Sequence, residues 1–195
     1  MSIDTNNNIA DFAFVSADGA SAYTGAPSQL GAAGPRSQMS GRTVNLPFSM
    51  VEPLAAATVA PNRAPDASTT PKRIEFRFRV TNNTAQAITA IRWRFVRLTD
   101  LNAPGYSAGG AQADLRPVTG ATRTIPATSI GVTTVHGLSL EGPPAQPMGG
   151  GLNSTLVRVL PGPLAPGGSV DINIVFEVWK GGSFAFTTQA EAIFQ

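Results

Sequence analysis

Strict alternation of polar and apolar side chains over residues 73–80 constrains the fold of this chain more than any other feature of its sequence. Ile74, Phe76, Phe78 and Val80 share one parity, and arginines and a glutamate occupy the positions between them. A period of two residues is typical of an antiparallel strand with one face in a core and the other in solvent. We therefore predict a half-buried strand here.

A second alternating run, residues 91–95, follows a polar turn at residues 81–84, so the two strands are predicted to pair as a hairpin. The apolar series changes parity after Phe95 and continues at Val96 and Leu98. A one-residue slip of this kind indicates a β-bulge or a bend at which the strand switches sheets.

The same pattern returns near the C-terminus, where residues 170–178 alternate, residues 180–183 form a turn and a strand returns from Phe184. These segments predict a second hairpin. Shorter candidate strands lie at residues 43–50, 129–135 and 152–159. Short strands separated by loops rich in Gly and Pro predict an all-β fold, a two-sheet antiparallel β-sandwich of immunoglobulin-like or jelly-roll-like type.

Residues 1–35 carry no such pattern and are rich in Ala, Gly, Ser and Asn. The predicted organisation is an extended N-terminal arm, residues 1–35, followed by a β-sandwich domain, residues 36–195. An extended segment can add a strand to the open edge of a neighbouring sheet through main-chain hydrogen bonds. The apolar part of the arm is therefore expected to contact other subunits through Ile9, Phe12, Phe14 and Val15.

The chain contains no cysteine and a single histidine, which excludes disulfides, thiol nucleophiles, iron–sulfur clusters, zinc fingers and multi-histidine metal sites. The spacing of His136, Ser139 and Glu141 matches no catalytic triad, so His136 is expected to be a surface or strand-edge residue. Asp171 and Asn173 lack the spacing of a calcium loop. We accordingly predict no catalytic residue, no metal site and no cofactor.

Basic residues are concentrated in one part of the chain, because seven of the 14 lie between residues 72 and 97, although the net charge is only +2. Arg77, Arg79, Arg92 and Arg94 fall on the outer face of the first predicted hairpin. This pattern is typical of a solvated or cross-strand ion-paired face, and a protein interface is the alternative. A nucleic-acid partner is disfavoured because Glu75 interrupts the stripe and the aromatic residues have the opposite parity.

Two aromatic residues are candidates for an exposed contact. Trp179 has the opposite parity to Phe176 and Val178, and Tyr106 lies in a predicted loop at residues 103–110. Exposed tryptophan commonly marks a binding contact, although Trp179 could instead cap the second face of the sandwich.

No targeting segment is visible in the sequence. The first 20 residues have no basic start, and their longest apolar run is four residues, so a signal peptide is not expected. No run approaches the roughly 18–20 apolar residues of a membrane-spanning helix, so no membrane span is expected either.

From about Leu30 onward, several sequence blocks follow a distinctive order: residues 78–84 (FRVTNNT), 91–96 (IRWRFV), 113–116 (ADLR), 138–144 (LSLEGPP), 149–154 (GGGLNS), 164–170 (LAPGGSV) and 182–186 (GSFAF). This order resembles that of an immunoglobulin-like β-sandwich module found at the C-terminal ends of large secreted bacterial proteins. The resemblance implies an accessory or structural role without catalytic residues. Because no export signal is visible, a virion protein, such as a phage decoration protein, is the other setting that fits.

Together these patterns predict a non-enzymatic structural or decoration subunit on the surface of a larger assembly, either a virion capsid or an extracellular filament. Its partners are expected to be other protein subunits, in a homo-oligomer or a lattice, and not nucleic acid. Its expected location is the virion surface, or the extracellular space and cell surface. The alternative is a secreted bacterial adhesion or carbohydrate-binding module.

Overall fold

The computed structural model describes residues 15–16, 29–30, 43–101, 109–127, 129, 131–140 and 155–193. The chain divides into a unit Met1–Thr43 and a unit Val44–Gln195. In the first unit, β1 (Val15–Ser16) pairs in parallel with β2 (Gln29–Leu30). Ile9, Phe12 and Phe14 lie outside the described residues, so the extended arm stays a prediction.

The remaining strands are β3 (Thr43–Leu46), β4 (Phe48–Met50), β5 (Arg63–Asp66), β6 (Lys72–Thr81), β7 (Ile88–Leu98), β8 (Asp114–Val118), β9 (Arg123–Ala127), β10 (Gly131–Gly137), β11 (Ser139–Leu140), β12 (Thr155–Leu164), β13 (Ser169–Lys180) and β14 (Phe186–Ile193). The described part of the chain contains no helix, which confirms the all-β class. It accordingly includes no helix long and apolar enough to cross a membrane.

The strands from β3 to β14 form two sheets that pack against each other. One has the order β4–β6–β13–β10–β9, with β5 also paired to β6 and β8 also paired to β13; the other has the order β11–β12–β7–β14–β3. The core between them includes Phe78 and Phe176 from the first sheet and Trp93 and Phe95 from the second. The predicted β-sandwich is therefore confirmed, although its pairing is not entirely antiparallel, because β10 runs parallel to β13.

Both predicted hairpins are wrong in their pairing. β6 and β7 lie in different sheets, as do β13 and β14. The long antiparallel partners are instead β6 with β13 and β7 with β14. Alternation shows which side chains face the core. It is equally compatible with two strands that pair in one sheet and with two strands that face each other across the core.

The connection between β6 and β7 is a compact arch built around Asn82. The buried Asn82 side chain donates to the carbonyl oxygens of Gln86 (2.9 Å) and Leu164 (2.8 Å) and accepts from the Thr84 amide (3.0 Å). The predicted bulge in β7 is confirmed, since Arg97 and Phe95 oppose the consecutive residues Thr187 and Thr188. Val96 is the residue without a partner in this register, and Leu98 beyond the bulge is buried.

The prediction that β6 is buried on only one face is also wrong. Glu75 and Arg77, on its outer face, are buried. The β9–β10 hairpin covers this face: Arg123 contacts Glu75 at 3.1 Å, and the Thr133 hydroxyl donates to Asp171 of β13 at 2.7 Å. Ile125 of β9 and Val135 of β10 form a small second apolar cluster with Val51.

Candidate interaction surface

Residues 51–62 form a loop whose two ends meet on one residue of β6. The Val51 amide donates to the Arg77 carbonyl oxygen (3.2 Å), and the Arg77 amide donates to the Asn62 carbonyl oxygen (2.9 Å). This arrangement arises because β4 and β5, which flank the loop, both pair with β6. A loop with adjacent ends and a filled interior has the character of an Ω-loop, a type that is often functional.

The buried Asn62 side chain fills the interior of this loop. Its Oδ1 accepts from the Glu52 amide (2.8 Å), and its Nδ2 donates to the carbonyl oxygens of Glu52 (2.8 Å) and Ala55 (3.0 Å). One amide at the C-terminal end of the loop therefore satisfies several main-chain groups of its N-terminal half and fixes its shape.

Glu52 joins the loop to the turn between β9 and β10. Its buried carboxylate accepts from the Ser129 amide and the Ser129 hydroxyl, each at 2.6 Å, and from the Leu54 amide at 3.3 Å. A buried carboxylate is tolerated when several donors satisfy it. The loop and the hairpin are thus held together as one structural piece.

This piece presents large apolar side chains to solvent. Leu54 is 87% exposed and Val132 is 72% exposed, and Val59 is also exposed. Val132 opposes Pro126 across the β9–β10 ladder, and Pro126 is likewise exposed. We call Leu54, Val59, Pro126 and Val132 the loop–hairpin surface. Single exposed apolar residues are ordinary, but these four lie on a segment fixed by buried hydrogen bonds.

A groove of about 480 Å³ runs beside β9, lined by Ala60, Pro61, Arg77, Ile125, Pro126 and Ala127. Arg77, whose side chain is 9% exposed, is its one charged lining residue in the described structure, and the other lining residues have apolar side chains. Arg77 Nη1 donates to the Pro61 carbonyl oxygen and Nη2 to Glu75, both at 3.0 Å. Arg77 Nε is buried and has no hydrogen-bond partner among the described residues.

The four predicted interface arginines are not brought together, because β6 and β7 lie in different sheets. Arg79 binds Asp171 through two hydrogen bonds of 2.8 and 2.9 Å, and these bonds raise the pKa of Arg79 above its ordinary value. Arg94 is buried 3.5 Å from Glu191. Arg92 is half-buried on β7, and the buried Arg77 lines the groove.

A second cavity, of about 220 Å³, is lined by Arg73, Glu75, Arg123, Val175 and residues 119–121. Each of its arginines already has a carboxylate partner. Arg73 lies 2.8 Å from Glu177, and Arg123 lies 3.1 Å from Glu75. Both arginines of this cavity are therefore already engaged by a carboxylate.

Trp179 is 42% exposed at a break in the β13–β8 ladder. Val178 and Lys180 oppose the consecutive residues Leu115 and Asp114, so Trp179 is the extra residue of a bulge. Bulges commonly re-aim a side chain, and this one directs the indole toward solvent. Tyr106 lies outside the described residues.

His136 is half-buried on β10, where its Nδ1 lies 3.5 Å from Arg158 Nη2. Burial is the main factor that lowers the pKa of His136, and Arg158 lowers it further against the opposing charge of Asp171. Asp171 is engaged by Arg79 and Thr133. Within the described ranges, no three acidic or histidine side chains are grouped closely enough to hold a metal ion.

No sequence pattern marked Glu52 or Asn62, the two residues that hold the loop–hairpin surface. Each acts on main-chain amides and carbonyls near the ends of a loop, and such contacts have no periodicity. β5 was missed for a related reason, since its sequence Arg-Ala-Pro-Asp shows no alternation. A buried Asn between two short strands leaves no signal in a single sequence.

No family model matches the chain, and no curated protein or solved structure is significantly similar to it.

Proposed function

We propose that this protein is a non-enzymatic structural or decoration subunit, held on the surface of a virion capsid or an extracellular filament by protein–protein contacts. The observation that carries this proposal is the loop–hairpin surface, in which Leu54, Val59 and Val132 are exposed on a segment fixed by Glu52 and Asn62. A preorganised apolar surface loses little conformational entropy on binding, which favours association with another protein.

The pairing of the arginines supports a protein partner over a nucleic acid. Arg79 is held by Asp171 and Arg73 by Glu177, so carboxylates neutralise much of the positive charge on this face. Nucleic-acid binding draws its affinity from Lys and Arg side chains that face phosphates. A protein interface needs no such excess of positive charge.

The first experiment is peptide mass spectrometry on virions and extracellular filaments purified from the native source. The proposal expects the protein as a stoichiometric component of one of them. Its absence from both would overturn the proposal.

The second experiment compares incorporation of two variants into those particles. Leu54→Asp/Val132→Asp should lower incorporation about tenfold or more, because charges would be buried at the centre of the contact. Val159→Asp is the matched control, since Val159 is 71% exposed on β12 of the other sheet. Equal incorporation of the double variant and the wild type would show that this surface is not the contact.

A carbohydrate-binding or adhesion module is the second candidate, and the exposed Trp179 at its bulge favours it. Sugar rings stack on exposed indole faces, so a ligand should change tryptophan fluorescence. The test is a glycan array probed with the wild-type chain and with Trp179→Ala. Glycan binding by the wild type that is lost in Trp179→Ala would support this candidate. The absence of binding to any glycan on the array would count against it.

A further inference from the structure

We propose that β3 is a dimerisation edge, at which β3 of a second copy of this chain adds antiparallel to the five-stranded sheet. Among the described residues, β3 is the last strand of that sheet and has β14 as its neighbour on one side. The inference goes beyond the proposed function, because contact between two copies requires neither a capsid nor a filament.

The sequence of β3 distinguishes it from the other edge strands. Within the described structure, four strands of at least four residues each pair with a single neighbouring strand, namely β3, β5, β8 and β9. β5, β8 and β9 each contain a proline and at least one charged residue, and both features oppose the addition of a further strand. β3 reads Thr-Val-Asn-Leu and contains neither. Its edge is therefore the least protected of the four.

The core is partly open beside this edge. Val44 of β3 has the parity of Leu46, which is buried in the core, yet Val44 is 43% exposed. Phe48 of β4 is 38% exposed, although its ring centroid lies 4.6 Å from that of Trp93 and 5.5 Å from that of Phe78. A further strand beside β3 would extend the sheet at this side of the sandwich and remove apolar surface from water.

A second copy of β3 fits this edge by symmetry and by charge. Two identical strands that pair antiparallel are related by a two-fold axis, so the contact is isologous and closes as a dimer. Directly opposed residues of an antiparallel pair lie on the same face of the sheet, so Val44 opposite Val44 keeps the apolar parity of both copies inward. Because β3 has no charged residue, self-pairing opposes no like charges within the strand.

Sedimentation equilibrium of the full-length wild-type chain measures the dimer. Because a four-residue edge makes a small contact, we expect reversible conversion from monomer to dimer between about 1 and about 200 µM. A monomer at every concentration in this range would overturn the inference. The proposed function would be unaffected by that result, since incorporation into native particles tests it separately.

Charged substitutions at Val44 test the edge itself. Val44→Lys and Val44→Glu should each weaken dimerisation about tenfold, because like charges would meet across the two-fold axis. An equimolar mixture of the two variants should dimerise more strongly than either alone, because the opposed charges then attract. This recovery also separates a lost contact from misfolding. Val159→Lys is the matched control, since Val159 is exposed on β12 and should leave dimerisation unchanged.

Dimerisation of both Val44 variants at wild-type strength would overturn the assignment to β3. A mixture that dimerises no better than its components would overturn the antiparallel pairing at Val44.

Engineered cysteines test the same pairing, because the chain has none of its own. Under mild oxidation, full-length Val44→Cys should form a disulfide-linked dimer about tenfold faster than full-length Val159→Cys, since opposed residues of paired strands bring their Cβ atoms close together. Equal rates for the two variants would contradict the proximity of the two β3 strands.

Discussion

At the scale of single residues, buried polar side chains determine the shape of the surface that we assign to binding. Asn62 holds the interior of the loop, Glu52 joins it to the hairpin, and Asn82 plays the same part in the arch between β6 and β7. Each satisfies several main-chain groups that would otherwise be buried without partners. Removal of one such side chain therefore leaves several main-chain groups without their hydrogen-bond partners.

We expect Asn62→Ala to lower the free energy of unfolding by roughly 2–4 kcal/mol, because the amides and carbonyls around it lose their partners. Asn83→Ala is the matched control, since Asn83 is exposed. Urea denaturation of the two variants measures the difference. Equal stability of both would contradict the role assigned to Asn62.

A second prediction at this scale concerns pH. Burial and Arg158 lower the pKa of His136 below its ordinary value of 6.5, so the unfolded chain binds a proton at higher pH than the folded chain does. The stability that the neutral imidazole contributes is present above 6.5 and is lost as the pH falls through the lowered folded-state pKa.

Urea midpoints measured between about pH 5 and pH 7.5 should therefore fall as the pH decreases, and His136→Asn should reduce this dependence. Asparagine keeps an acceptor near Arg158 but does not titrate. A His136→Asn chain with the same pH dependence as the wild type would assign the effect to other groups.

At the scale of strands, the sequence was sufficient to predict which side chains face the core, but not which strands pair. The alternation in β6, β7 and β13 identified their inward residues correctly, because it depends only on local geometry. The partners depend on whether a connection turns back in one sheet or crosses to the other. The cover on the outer face of β6 was likewise unpredictable, since it comes from a hairpin far along the chain.

Close contact between segments gives a prediction at this scale. A side chain at Gly137 of β10 would collide with the main chain of Gly120 and Ala121. Gly137→Ala should therefore displace β10 and lower the free energy of unfolding by roughly 1–3 kcal/mol. Gly181→Ala, where the space is open, is the control. Equal melting temperatures for the two variants would contradict the close packing.

At the scale of the whole Val44–Gln195 unit, both sheets contribute to one core. Trp93 of β7 lies 5.1 Å from Phe78 of β6 and 4.6 Å from Phe48 of β4, measured between ring centroids, so its fluorescence reports contact between the sheets. The identity of a partner could not be predicted, because it depends on surfaces with no periodic signal.

A shared core predicts cooperative unfolding. In Trp179→Phe, which leaves Trp93 as the one tryptophan, urea transitions followed by fluorescence and by far-ultraviolet circular dichroism should coincide. A fluorescence transition at lower urea than the loss of strand signal would show that the sheets separate before they unfold.

The connections from β6 to β7 and from β13 to β14 lie at opposite ends of the sandwich, because β6 and β13 run antiparallel and each crosses to the other sheet after its last residue. The polypeptide chain therefore connects the two sheets covalently at both ends of the sandwich. A force that pulls one sheet away from the other therefore acts on the β6–β7 and β13–β14 connections as well as on the side-chain contacts in the core. Separating the sheets completely would require strands to be pulled out of their own sheets, with loss of their main-chain hydrogen bonds.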